Sequence, residues 1–300
     1  QVRRVIADWQ PLKEPSTMTR WLKSWSKALR IEEHEIRAQN SKGKGVMSPY
    51  ESLIWQIVMP KIRSAFNNDW APEHPSAAVA LVEAWSAALP RFVRDNIMDQ
   101  LVLPKLKRTV SEWDAKRGTS TLRHMVFPWL PIFPHRAEEL VADAKRRFRS
   151  SLKAWKASKD MPSDTAKWKE MFKDNEWESA MLDVIVPKLG AALRADFTVD
   201  PSAQDMGPLE RVLQWAPVLR ESVISRLLEK EFFPKWLDVL HLWLTQSSAN
   251  FDEVAQWYSF WKAWFPSAIA ELPGVIQGFR RGLDLINLAV ELGGNRSSLP

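Results

Sequence analysis

Apolar residues recur along this 300-residue chain at helical spacing, in blocks punctuated by proline. Between positions 76 and 89, Ala80, Ala84 and Ala88 fall four residues apart, as do Leu81, Trp85 and Leu89 beside them, which a 3.6-residue turn gathers into one stripe. Ser76 stands where an N-cap belongs, and Pro90 where the helix must stop. From Arg91 to Trp113 the residues Met98, Val102, Leu106 and Val110 lie four apart, with Ile97, Leu101 and Trp113 beside them. That stripe passes Pro104 without changing period, so it predicts one long helix bent at the proline, at a cost of ~3 kcal/mol. A break into two helices at Pro104 is the alternative. Val141, Ala144, Phe148, Leu152 and Trp155 mark a further helix, and Val184, Pro187 and Leu193 another. Residues 209–244 and 251–292 continue the pattern after a loop at 198–208, and Trp21, Trp25 and Leu29 suggest a first helix. Residues 39–48, which contain SKGKG, read as an inserted loop, and the terminal GGNRSSLP reads as a frayed tail.

The blocks repeat. Trp85, Trp129, Trp168, Trp215 and Trp264 are separated by 44, 39, 47 and 49 residues. MPKI, LPKL, VPKL and FPKW set Pro60, Pro104, Pro187 and Pro234 before a lysine, and Trp85–Pro104, Trp168–Pro187 and Trp215–Pro234 are each 19 residues apart. A third series, Trp70, Trp113, Trp155, Phe197 and Trp243, advances by 43, 42, 42 and 46. Phe148 stands where one block lacks its proline. Periods of about 40 to 47 residues belong to stacked helical hairpins, in which a single repeat cannot bury its own apolar face. The expectation is therefore an all-α chain: one domain over residues 1–300, built as a HEAT-like α-solenoid of five or six hairpins with proline-kinked long helices. Trp85, Pro104, Trp129, Trp168, Pro187, Trp215, Pro234 and Trp264 are its expected repeat anchors.

Composition sharpens this picture. Hydrophobic residues make up 45% and charged ones 26%, enough for a large core; there are only 10 glycines, and helix-forming residues are plentiful. With no cysteine, disulfides, thiolate metal sites and a cysteine nucleophile are excluded. Apolar runs such as Leu237 to Leu244 fall far short of the roughly 20 residues a membrane helix needs. The net charge of +6 is unevenly spread: residues 1–150 hold 25 basic and 16 acidic side chains, and residues 151–300 hold 17 and 20. The first half is thus electropositive, which bears on association with a polyanion rather than on fold.

Catalytic chemistry finds little support. His34, His74, His124, His135 and His241 lie in separate segments without ligand spacing, SKGKGV lacks the phosphate-loop spacing, and no nucleophile elbow occurs. The expectation is no enzyme, no metal and no cofactor. The small residues of GVIQGFRRG, at Gly274, Gly278 and Gly282, predict close helix packing. One cluster stands out as a candidate binding patch: Lys145, Arg146, Arg147, Arg149, Lys153, Lys156 and Lys159 align several cations along one helical stretch. An ordinary solvated face is its alternative.

DNIMDQLVLPKL (95–106), FPWLPIF (127–133), VIVPKLG (184–190), LLEKEFFPKWL (227–237) and WYSFWKAWF (257–265) resemble the GC-rich sequence DNA-binding factor-like domain of the tuftelin-interacting and nineteen-complex-related family of spliceosome disassembly proteins. The resemblance spans about residues 5 to 292. It implies a nuclear role in pre-mRNA splicing, at the stage of intron-lariat release, through contacts with spliceosomal proteins and a companion disassembly subunit. In that family a glycine-rich G-patch engages a DEAH-box helicase; these 300 residues contain none. The resemblance supplies no catalytic residue, and no zinc finger, basic zipper or recognition helix backs sequence-specific DNA readout. The leading expectation is a non-catalytic scaffold. The alternative is direct, non-specific RNA binding by the basic first half.

Overall fold

The computed structural model describes residues 2–39, 47–113, 121–133, 137–162, 164–246 and 248–293. The expected loop at 39–48 falls mostly outside them, as do His135 and most of the expected terminal tail. Every regular element among the described residues is helical. Contacts group into two compact units, residues 1–151 and 152–300.

The first unit opens with α1 (Val2–Ala7), a helix without a counterpart in the apolar pattern, and α2 (Thr19–Gln39). Helix α3 runs over residues 49–69, α4 over Ser76–Trp85 and α5 over residues 91–112. Helix α6 (Leu122–Val126) leads into a 3-10 turn at Phe127–Trp129, and α7 covers Glu138–Ala154. In the second unit α8 is Thr165–Lys169, α9 residues 174–195, α10 Gly207–Leu213, α11 Glu221–Glu231 and α12 Phe233–Thr245. Helices α13 (Phe251–Trp264), α14 (Ser267–Ala270) and α15 (Pro273–Leu292) complete it.

The long helices are continuous through their prolines. In α3, α5 and α9 the residue before the proline donates its N–H five residues back: Met59 to Ile54, Leu103 to Met98 and Val186 to Met181. Each such π turn ends where Pro60, Pro104 or Pro187 begins the next α turn. A proline lacks the N–H and crowds the carbonyl four residues back, so a turn closed on the fifth residue suits both defects. The apolar spacing explains the same feature. Trp177, Met181, Ile185, Leu189, Leu193 and Phe197 are all buried and all four apart; on a 3.6-residue helix such a row drifts by about 40° per step. The wide turn takes up that drift and keeps the row facing inward. At Pro234 the solution differs, because Phe232 interrupts the helix between α11 and α12 while keeping helical dihedrals. All four prolines are exposed, so they act on the backbone rather than as packed anchors.

The lysine after each proline closes the end of an earlier helix. Lys105 Nζ donates to the carbonyls of Phe66, Asn67 and Trp70 at 2.5, 2.9 and 3.0 Å, at the end of α3. Lys188 reaches Leu152, Lys153 and Trp155 at 3.1, 2.5 and 2.7 Å. Lys235 reaches Leu193, Arg194 and Phe197 at 2.8, 2.7 and 2.7 Å. Lys61 does the same for Ala7 and Trp9 after α1, at 2.5 and 3.3 Å. In the block that lacks a proline, the Arg147 guanidinium donates to the Ser111 carbonyl in the last turn of α5. A helix C-terminus leaves carbonyls unpaired and carries partial negative charge, so a cation with several donors suits it. Burial pushes the Lys105 and Lys188 amines below the ordinary lysine range.

Beneath these clamps lie the indoles. Trp85, Trp129, Trp168 and Trp215 are at most 1% exposed. Trp85 stacks on Trp9 with centroids 4.9 Å apart and donates Nε1 to the Pro15 carbonyl at 2.7 Å. Trp70 meets Trp129 edge-on at 5.5 Å, and Trp155 meets Trp215 at 4.8 Å. Trp264, expected as the last anchor, is only half-buried; Trp261, one turn earlier, is fully buried instead. The backbone becomes extended at Phe265, whose ring takes the inner place against Phe232 and Phe279. Two further expectations change. Ser76 makes no cap, since the helix already starts after Pro75, and α4 gives way after Trp85 to tight turns, in which Ser86 N–H donates to the Glu83 carbonyl and Ala88 N–H to the Trp85 carbonyl.

Helix α15 packs on α11 and α12 through the glycines. A Cβ at Gly274 would sit 2.7 Å from Ser225 Oγ, and one at Gly278 or Gly282 would enter the ring of Phe233 or Trp236. Gly278→Ala is expected to lower the stability of this chain by about 1–3 kcal/mol in urea unfolding, whereas Ala at exposed Gln277 on the same helix leaves the midpoint within ~0.5 kcal/mol. Lys188→Met, which takes a donor from three carbonyls, is expected to cost ~1–3 kcal/mol, measured by the same titration. An unchanged midpoint would show that water caps α7 as well as lysine does.

Candidate binding surface

Helix α7 forms because Leu140, Ala144, Phe148 and Leu152 give it a buried stripe and because Glu138 and Glu139 place negative charge in its first turn. Its cations were the candidate patch, and the structure assigns them different environments. Arg146 is exposed and pairs with Asp143 one turn back. Arg147 is committed to the end of α5. Lys145 and Arg149 are half-buried, each with an interaction partner. In the second unit Lys153 is exposed on the last turn of α7, while its own carbonyl receives Lys188. The helix ends at Ala154, so Lys156 and Lys159 leave the helical row that their spacing suggested; they lie exposed in the following turn, closed by Lys159 N–H to the Lys156 carbonyl at 3.0 Å. The cluster is therefore not one uniform face of free cations.

Nearby in the first unit, Lys107 of α5 pairs with Glu139, and Arg108 with Glu112 at 3.0 Å. An open cleft of about 560 Å³ is lined by Arg91, Arg94, Glu83, Asp95, Met98 and Phe133, among others. Two arginines and two carboxylates share this lining, and the Ser86 hydroxyl, also in it, donates to the Glu83 carbonyl at 2.9 Å. That is a mixed polar and apolar lining without a nucleophile and base set against one another. Among the described residues no group of three or more His, Asp or Glu could hold a metal, and no helix is long and apolar enough to cross a membrane.

Sequence reasoning singled out the proline–lysine tetrapeptides but assigned no role to the lysine. The usable signal was that lysine alone follows proline in all four while the flanking apolar residue varies. The role itself depends on a carbonyl cluster 33 to 54 residues earlier in the chain, which no local pattern announces.

A profile of the GC-rich sequence DNA-binding factor-like protein family matches residues 1–240. Tuftelin-interacting protein 11 of Xenopus laevis is 33% identical over 289 residues, covering 94% of this chain and 34% of that protein. The Mus musculus protein of the same name is 32% identical over 295 residues, covering 96% and 34%, and that of Bos taurus 33% identical over 289, covering 94% and 33%. The chain thus spans about a third of the length of the curated relatives it matches. An all-helical chain with these anchors, matched over four-fifths of its length by one profile, belongs to the GC-rich sequence DNA-binding factor-like protein family.

Proposed function

We propose that this chain is a non-catalytic scaffold domain of a nuclear pre-mRNA splicing factor. In this reading its repeats continue as a HEAT-like solenoid of five or six hairpins, acting as one domain whose outer faces dock spliceosomal proteins and a companion subunit of the disassembly machinery. A separate G-patch, absent from these residues, would engage a DEAH-box helicase for intron-lariat release. The observation that carries the reading is the recurring clamp, in which Lys61, Lys105, Arg147, Lys188 and Lys235 each tie a helix to the end of an earlier one. Such ties hold successive helices of each unit in register, and a rigid array of repeats offers an extended surface rather than a pocket. Exposed Leu242, Phe260, Ile276, Leu283 and Val290 in the second unit are the apolar contacts such a surface uses.

Immobilised on beads and exposed to nuclear extract, the chain is expected to retain spliceosomal proteins identifiable by mass spectrometry, with retention little changed between about 0.1 and 0.3 M salt. Recovery of no splicing component would overturn the scaffold reading. The alternative, direct RNA binding by the basic first half, requires affinity that falls linearly in log salt.

A further inference from the structure

The exposed aromatic of the first unit lies to one side of a strip of unpaired cations. Helix α2 is held down by Met18 and Leu22, 2% and 0% exposed, and packs on the helical segment Pro49–Leu53. Its other side is open. Trp21 is 47% exposed, the most of any tryptophan described, and Trp25 leans against it with centroids 6.1 Å apart and planes 39° from parallel. Arg20, Lys23 and Lys27 are all exposed, and none has a hydrogen bond or ion pair with a described residue. At about 100° per residue, Trp21, Ala28, Ser24, Arg20, Lys27 and Lys23 succeed one another around an arc of about 160°. The indole thus stands at one end of the arc, separated by the small residues Ala28 and Ser24 from a strip of three positive charges that extends about 10 Å along the helix. The flanking carboxylates in sequence, Glu14 and Glu32, stand six residues before Arg20 and five after Lys27, and the hydroxyl of Thr17 donates to Glu14.

Most indoles of this chain are enclosed, often against one another, so a half-bare indole needs a different account. An apolar protein partner would be served by Leu or Met at this position and gains nothing from three lysine and arginine heads. A duplex keeps its base faces stacked away from an indole. A single strand offers bare base faces for the ring and phosphates for the cations. We propose that α2 binds single-stranded nucleic acid, with Trp21 stacking on a base, Trp25 bracing it, and Arg20, Lys23 and Lys27 contacting the phosphates on one side. This contact is separate from the docking surface proposed above and from the cations of α7.

Fluorescence anisotropy of a labelled oligouridylate of about twelve nucleotides, titrated with the whole chain at several salt concentrations, tests this. Trp21→Phe should bind within about threefold of the parent, and Trp21→Leu, which keeps an apolar side chain but no ring face, should bind roughly tenfold more weakly. The triple variant Arg20→Gln, Lys23→Gln, Lys27→Gln should make the slope of log affinity against log salt shallower by about two. Thermal melts by circular dichroism establish that each variant is folded. Equal affinity for Trp21→Leu and the parent, an unchanged slope in the triple variant, absence of binding at low salt, or displacement of the strand by polyglutamate at equal charge would each overturn the assignment. Run in ribonuclease-treated extract, the bead experiment reads protein partners alone, so the two proposals fail separately.

Discussion

The open end of a helix is the constraint on which this architecture turns. Four carbonyls at each C-terminus have no partner within the helix, and here they point toward neighbouring elements rather than into bulk water alone. A single ammonium with three donors answers three carbonyls at once, as Lys105, Lys188 and Lys235 do. The reach of the side chain then fixes how far one helix lies from the end of another. Packing fills the space so defined: Trp70 meets Trp129, and Trp155 meets Trp215, edge to face with planes 68° and 64° apart. Where the proline block is missing, Arg147 supplies the cation, so the electrostatic requirement persists after the motif that usually meets it is gone.

Winding and packing answer to the same sequence feature. A four-residue apolar period is neither that of an α-helix nor that of a strand, and it holds one face only if the helix widens in places. The prolines sit where the widening ends, exposed to solvent, and the buried rows continue beyond them through Leu106 and Val110 or Leu189 and Leu193. In the second unit a different device brings helices together. Glycines remove the Cβ layer of α15 so that the rings of Phe233 and Trp236 lie against its backbone, joining an aromatic cluster that includes Trp257, Trp261, Phe265 and Phe279.

How much of this was legible follows from the range of each interaction. Helix class, the continuity of α5 through Pro104 and the close packing of the glycine stripe depend on residues within a turn or two of each other, and the pattern of side chains announced them. The burial of Trp85, Trp129, Trp168 and Trp215 follows from the apolar residues beside them. Trp264 differs because the chain leaves its helix one residue later and lets Phe265 turn inward, a choice made by the tertiary cluster. Arg147 was grouped with its neighbours by charge, yet its partner is a carbonyl 36 residues away, and charge runs do not record acceptors at that range. The short α1 carries too few residues for a period, and only its docking under Lys61 marks it.

The direction of the clamps has a consequence for biosynthesis. In every case the donor lies downstream of the carbonyls it serves, by 33 to 54 residues, so a helix is synthesised before the residue that closes it. At elongation rates of about 5–20 residues per second, each newly made helix end stays without its cation for a few seconds. The chain therefore matures from front to back with one unfinished joint always trailing the exit tunnel, and that joint is the natural point at which a nascent-chain chaperone would take hold.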